Sequence, residues 1–357
     1  MAVNDSMAHL SDALFTTAIA TYSVALVGYC AEYAFGRRGR IARTSTVVVT
    51  AEPVRVSAAS APQRTRVLTT AGGPAGLDSS FDDSPARAVP SPSTRSSRRG
   101  WAEQAGAGAV AVTVVGFVIH LSSIVLRGTA VDRVPWGNMY EFSMVVGLIA
   151  VAAWLAVLAR MPELRYLGVF VLVPVVVVMF LAGNVLYAQA SPLVPALQSY
   201  WLAIHVSAAA SGEGMLMTSA VLAGLYLIKM RYTATVAAGR PARFPVSVGE
   251  RLPSAQSLDK ASYRIVAFAF PIFTFGVICG AIWAEAAWGR YWGWDPKETW
   301  AFISWVVYAA YLHARATAGW KGRGAAWINL AGFAAMTFNF FVVNMVVSGL
   351  HSYAGLN

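Results

Sequence analysis

Eight mostly apolar stretches recur along this 357-residue chain, and they limit its possible folds more than any other feature. Their approximate limits are 11–35, 106–126, 139–159, 166–187, 202–228, 264–287, 298–317 and 325–347. A bilayer core about 30 Å thick is crossed by about 20 apolar helical residues, so each stretch is long enough to span it. Charged residues make up only 12% of the chain, half the roughly 25% of a soluble domain. The expected fold is an all-α polytopic membrane protein with about eight transmembrane helices.

The placement of the basic residues sets the expected orientation. With the N-terminus outside, 23 of the 27 Lys and Arg residues fall on or beside the inner connections. The outer side keeps Arg127, Arg133, Arg290 and Lys297. Cytoplasmic loops retain basic residues, so the pattern predicts an N-out, C-out protein of the plasma (inner) membrane. The net charge of +10 then needs no nucleic-acid partner; lipid is the expected surroundings. The first stretch has no basic residue before it and Arg37, Arg38 and Arg40 just after it. That is the reverse of a cleaved signal peptide, and it predicts a retained first helix. Cys30 and Cys279 lie in apolar runs without CxxC spacing and read as packing residues.

Three regions follow: a first transmembrane helix over 1–35, a basic linker over 36–105, and a seven-helix membrane domain over 106–357. Residues 41–100 are rich in Ser, Thr, Ala, Pro, Gly and Arg. Such a composition buries too little apolar surface to offset the entropy of ordering, so a disordered cytoplasmic linker is expected. A weaker version recurs at 233–260.

The most informative stretch is Trp288-Gly-Arg-Tyr-Trp-Gly-Trp-Asp-Pro-Lys-Glu-Thr-Trp300, between the sixth and seventh spans on the outer side. Trp288, Tyr291, Trp292, Trp294 and Trp300 alone would suit an interfacial aromatic belt. Threaded among them are Arg290, Asp295, Lys297 and Glu298, with Gly289 and Gly293 permitting turns and Pro296 placed to open a helix. Indoles and a phenol beside cations suit a flat apolar ring system with anionic edge groups, such as haem with its two propionates. Arg290 and Lys297 are the candidates for those groups.

The string WGRYWGWDPKETWAFISW resembles the tryptophan-rich WWD signature of the haem-handling protein superfamily. Its PKETW ending is similar to the CcsA/ResC branch of system II cytochrome c biogenesis rather than to CcmC or CcmF. The resemblance extends through Trp136-Gly-Asn-Met-Tyr-Glu141, Ser199-Tyr-Trp-Leu-Ala-Ile-His205 and Gly349-Leu-His-Ser-Tyr353, covering about 105–357. It implies that haem b is moved across the membrane and presented to the CxxCH thiols of apocytochrome c. It also implies a ResB-type membrane subunit as partner and a place in a holocytochrome c synthase complex.

Of the five histidines, His205 and His351 are expected at outer helix ends, level with the tryptophan segment. The residues alone leave open whether they are wetted interfacial histidines. The resemblance makes them the axial ligands of an external haem. His313 lies thirteen residues beyond Trp300, about 20 Å down a helix. The resemblance makes it one ligand of a second, membrane-embedded haem whose other histidine comes from the ResB-type partner; a histidine snorkelling beside Arg315 is the rival. His120 is expected to be a structural hydrogen-bonding residue, His9 to be solvated, and Asn339 and Asn344 to bond between helices. A haem or small-molecule transporter without an attachment role, or a structural scaffold, would use the same spans.

Overall fold

The computed structural model describes residues 3–36, 97–317, 320 and 322–351. Eight long helices run through them: α1 (Asp5–Phe35), α2 (Ser97–Ala130), α3 (Met139–Arg160), α4 (Gly168–Asn184), α5 (Tyr200–Ala237), α6 (Ala255–Trp288), α7 (Pro296–Ala316) and α8 (Arg323–Phe338). A single π-helical stretch, Asn339–Val343, continues α8. There is no strand among the described residues. Seven of the helices are long and apolar enough to cross a membrane, α4 together with the 3-10 turn before it and α8 together with the π-helical stretch after it. The remaining one, α7, is as long but more polar, carrying Lys297, Glu298, His313 and Arg315. The protein is a polytopic membrane protein. Val27, Val118, Val125, Val177, Phe180 and Phe268 face outward, an apolar surface that a water-soluble monomer rarely shows.

The helix ends alternate between two faces of the bundle. At one face the amide of Asn4 bonds the carbonyl of Ala130 at 2.9 Å, Trp283 Nε1 donates to the carbonyl of Ala196 at 3.1 Å, and the amide of Leu350 reaches Asp295 at 2.8 Å. At the other, Arg165 pairs with Glu32 and Arg315 donates to Asp259 at 3.0 Å. Helix α5 is the central one: its most apolar window is 67% buried, against 28–56% for the others.

Two expectations about the connections are corrected. Most of the 36–105 linker lies outside the described residues, but α2 starts at Ser97 and takes in its last nine. There Trp101 packs on Phe35, and Arg165 donates to the carbonyl of Glu103. Residues 233–260 are built in rather than linker-like. Helix α5 runs to Ala237 and a 3-10 turn covers Val246–Glu250. Tyr33 Oη donates to the carbonyl of Val248 at 3.2 Å, and Arg251 donates back to the carbonyl of Tyr33. Composition counted along the chain misses a partner more than two hundred residues away.

Candidate functional site

Local chemistry builds the tryptophan segment first. Helix α6 ends at Gly289 with φ 71°, a left-handed turn that glycine adopts without penalty. Helix α7 starts with Pro296 in its first turn and a capping box of Asp295 and Glu298, in which each side chain takes up amides with no partner inside the helix. Glu298 Oε2 accepts from the amides of Gly293 at 2.8 Å and Asp295 at 3.1 Å. Between those amides Trp294 sits at φ 57°, a strained setting for a bulky residue.

Asp295 also gathers the C-terminal segment. Its Oδ1 accepts from the Leu350 amide and its Oδ2 from His351 Nδ1, each at 2.8 Å. Burial raises the Asp295 pKa, but those two donors outweigh it and hold the group below the usual carboxylate range. Burial pushes His351 down to about 4 despite its acidic partner. A carboxylate facing a neutral imidazole fixes the tautomer: the proton is on Nδ1, and Nε2 keeps its lone pair. His351 then packs edge-on against Trp288, with ring centroids 4.8 Å apart, and Trp283, 5.5 Å apart.

His205 reaches the same arrangement from α5. Its Nδ1 lies 2.7 Å from the carbonyl oxygen of Gly276, which can only accept, so Nε2 again carries the lone pair. Trp283 stacks on its ring at 6.0 Å and 12°. Room for the imidazole comes from α6, where a Cβ at Gly280 would lie 2.6 Å from the ring.

Both histidines line one large cavity enclosed by α3, α5, α6, α7 and α8 and by the Trp136 and tryptophan loops. Its empty volume, open mouth included, is about 1280 Å³. Tyr291, Trp292 and Lys297 join the two histidines on its wall. Trp288 and Asp295 stand behind His351. The other predicted residues lie elsewhere: Trp300 packs on Phe338 at 4.2 Å, Trp294 is 67% exposed, and Arg290 folds over Gly293. His313 is exposed in the last turn of α7, away from the cavity, and Arg315 beside it pairs with Asp259.

Among the wall residues that sequence reasoning missed are Trp283 and Glu213. Trp283, 2% exposed, was hidden inside an apolar run. Glu213 had a signal, an acid in an apolar span. Trp136 was noticed only as part of a motif. The π-helical stretch puts Phe340 on the wall, with Asn339 and Asn344 at either end. Lys297 Nζ donates to Asn344 Oδ1 at 2.7 Å and Asn339 donates to the Lys297 carbonyl, the interhelical role expected of both. His120 departs from expectation: it is fully buried, packed against Phe15 and Tyr22, and neither ring nitrogen has a well-formed hydrogen bond.

The profile of the cytochrome C assembly protein family matches residues 136–351. The chain belongs to that family. Among its relatives, the cytochrome c biogenesis protein CcsA of Synechocystis sp. is 34% identical over 302 residues, 71% of this chain and 89% of that protein. CcsA of Gloeobacter violaceus is 33% identical over 298 residues, 71% of this chain and 87% of its own. CcsA of Guillardia theta is 43% identical over 177 residues, and there the match spans 47% of this chain and 59% of the relative. The family match begins at the Trp136 loop and ends on His351, so it encloses the whole cavity wall.

Proposed function

We propose that this chain serves cytochrome c biogenesis by holding haem b in the cavity, where His205 and His351 would hold its iron. The observation that carries the reading is the matched state of the two imidazoles. Each gives its Nδ1 proton to a protein oxygen, and among the described residues nothing hydrogen-bonds either Nε2. This is how proteins prepare histidine for a metal: the outer hydrogen bond sets the tautomer and raises ligand basicity. Aromatic walls from Trp136, Trp283 and Trp292 suit the flat apolar ring, and Lys297 is the wall cation for a carboxylate edge.

The bound haem supplies the vinyl carbons to which the CxxCH thiols of apocytochrome c add. The protein positions and shields. Its two imidazoles would hold the iron and keep oxygen from it, Asp295 holds His351 in place, and the mouth beside Tyr291, 62% exposed, would admit the partner chain. The haem-attaching assembly would include a ResB-type membrane subunit. His313, exposed on α7, is available to ligate a second haem with a histidine from that subunit. The cavity end is assigned to the outer side of the plasma membrane. Supporting this, among the described residues the bundle carries only Arg127, Arg133, Arg290 and Lys297 as Lys or Arg at that end, while Arg160, Arg165, Lys229 and Arg251 are among those at the other.

The test is a visible absorption spectrum of the detergent-purified full chain coexpressed with its ResB-type partner. Wild type is expected to show bis-histidine haem, and His205→Ala with His351→Ala to lose the external signal and cytochrome c maturation. A colourless wild type from haem-producing cells overturns the reading. Haem unaffected by both substitutions overturns the ligand assignment. A wild type that binds haem yet fails to mature apocytochrome c given external haem would favour a transporter.

A further inference from the structure

Glu213 has no part in the reading above, although it shares the cavity. It lies eight residues after His205 on α5, about 12 Å along the helix, and its side chain is on the wall. The turn that carries it is locked in place, since a Cβ at the adjacent Gly214 would meet the Val146 carbonyl oxygen at 2.6 Å. Among the described residues no side chain or amide hydrogen-bonds the Glu213 carboxylate. The cation on the same cavity wall is Lys297 on α7, whose Nζ is given to Asn344 at 2.7 Å.

The other ionisable groups around the cavity are His205 on α5, Tyr291 in the tryptophan loop, Glu298 and Tyr308 on α7, and His351 in the C-terminal segment. Glu298 is committed to the amides of Gly293 and Asp295. The wall residues of α3, α6 and α8 bring no ionisable side chain. Glu213 is therefore the one acid on the wall whose carboxylate is not already bonded. A change of one charge in so apolar a space costs far more than in water unless a second charge moves with it.

Resting on the haem reading, we propose that Glu213 is the proton acceptor coupled to the redox change of the bound iron. As the iron gains one electron from a one-electron donor outside the cavity and passes from Fe(III) to Fe(II), the Glu213 carboxylate takes one proton from water at the mouth and becomes the neutral acid. Oxidation returns both. The charge inside the cavity stays constant, and the ferrous state is favoured as the outside becomes more acidic.

The experiment is a spectroelectrochemical titration of the haem-loaded full chain over a range of pH, with reduced-minus-oxidised infrared spectra. Wild type is expected to lose midpoint potential as pH rises, approaching one proton per electron, about 59 mV per pH unit. Glu213→Gln should flatten that dependence and remove the carboxylic acid band that appears on reduction; Glu213→Asp should keep both. Haem propionates titrate in every variant, so the readout is the difference in slope. Equal slopes in wild type and Glu213→Gln, with the bis-histidine spectrum intact, overturn the inference and leave the haem reading standing. If Glu213→Gln does not load haem, the wild-type infrared spectrum decides: no acid band on reduction overturns the proposal. A colourless wild type overturns both readings.

Discussion

Two polar clusters at the same end of the bundle use charge in opposite ways. In the first, Arg127 and Glu141 are both fully buried, and every charge has a countercharge. Arg127 pairs with Glu141 and with Asp12, each at 3.2 Å. Arg133 reaches Glu141 at 2.9 Å, the Gly137 amide adds a bond at 2.7 Å, and Tyr140 and Tyr187 donate to Asp12. In the second cluster, around the cavity, His205, His351 and Glu213 keep uncommitted lone pairs. The closed cluster spends its valences on joining α1, α2, α3 and the loop after α4. The open one leaves them free to meet a ligand. A protein can place ionisable groups in a membrane for either purpose, and bond saturation tells the two apart.

The largest effect separating the clusters is expected from Arg127→Met, which takes from Asp12 its paired cation and leaves Glu141 to Arg133 alone. Breaking a buried ion network this way costs about 3–5 kcal/mol, read as lost thermal stability in detergent and lost yield of monodisperse protein. Next comes Asp295→Asn, which removes the charge facing His351. Loss of such an outer partner typically weakens metal binding about 10–100-fold, to be seen by haem titration with helical content unchanged.

Acid should open the second cluster. His351 falls from 6.5 to about 4 in the folded protein, so between those values the released segment takes up a proton that the folded one refuses. Its contribution is whole above 6.5 and fades towards 4. The lowered Asp295 acts in the same sense, its stabilisation being lost as pH falls. In the haem-free chain, tryptophan emission is expected to change over this range, and less so in Trp288→Phe, because Trp288 abuts His351. The smallest effect belongs to Arg290→Ala. It lies off the cavity wall, so its removal is expected to shift haem binding by under about 0.5 kcal/mol, whereas Lys297→Met should weaken it measurably.

Legibility followed the range of the interaction. The spans were readable because each is a local run of apolar residues, and so was the opening of α7, since Asp295, Pro296 and Glu298 cap it within one turn. His205 and His351 were singled out through motif resemblance. Their hydrogen-bond partners, Gly276 and Asp295, could not be read, because no local pattern predicts which carbonyl or carboxylate a distant ring will meet. Arg127 and Arg133 counted equally with Arg290 and Lys297 as outer cations. Only packing divided them into two that saturate Glu141, one that folds over Gly293 and one that lines the cavity.

By itself the sequence determined a helical membrane chain, its family and the tryptophan segment, because hydropathy and capping act between neighbours along the backbone. Tertiary structure alone decided that Trp283 packs against both histidines, that 233–260 docks on α1, and that Glu213 looks into the cavity. Those outcomes depend on which helix faces come together, and packing across the bundle sets that after the spans exist.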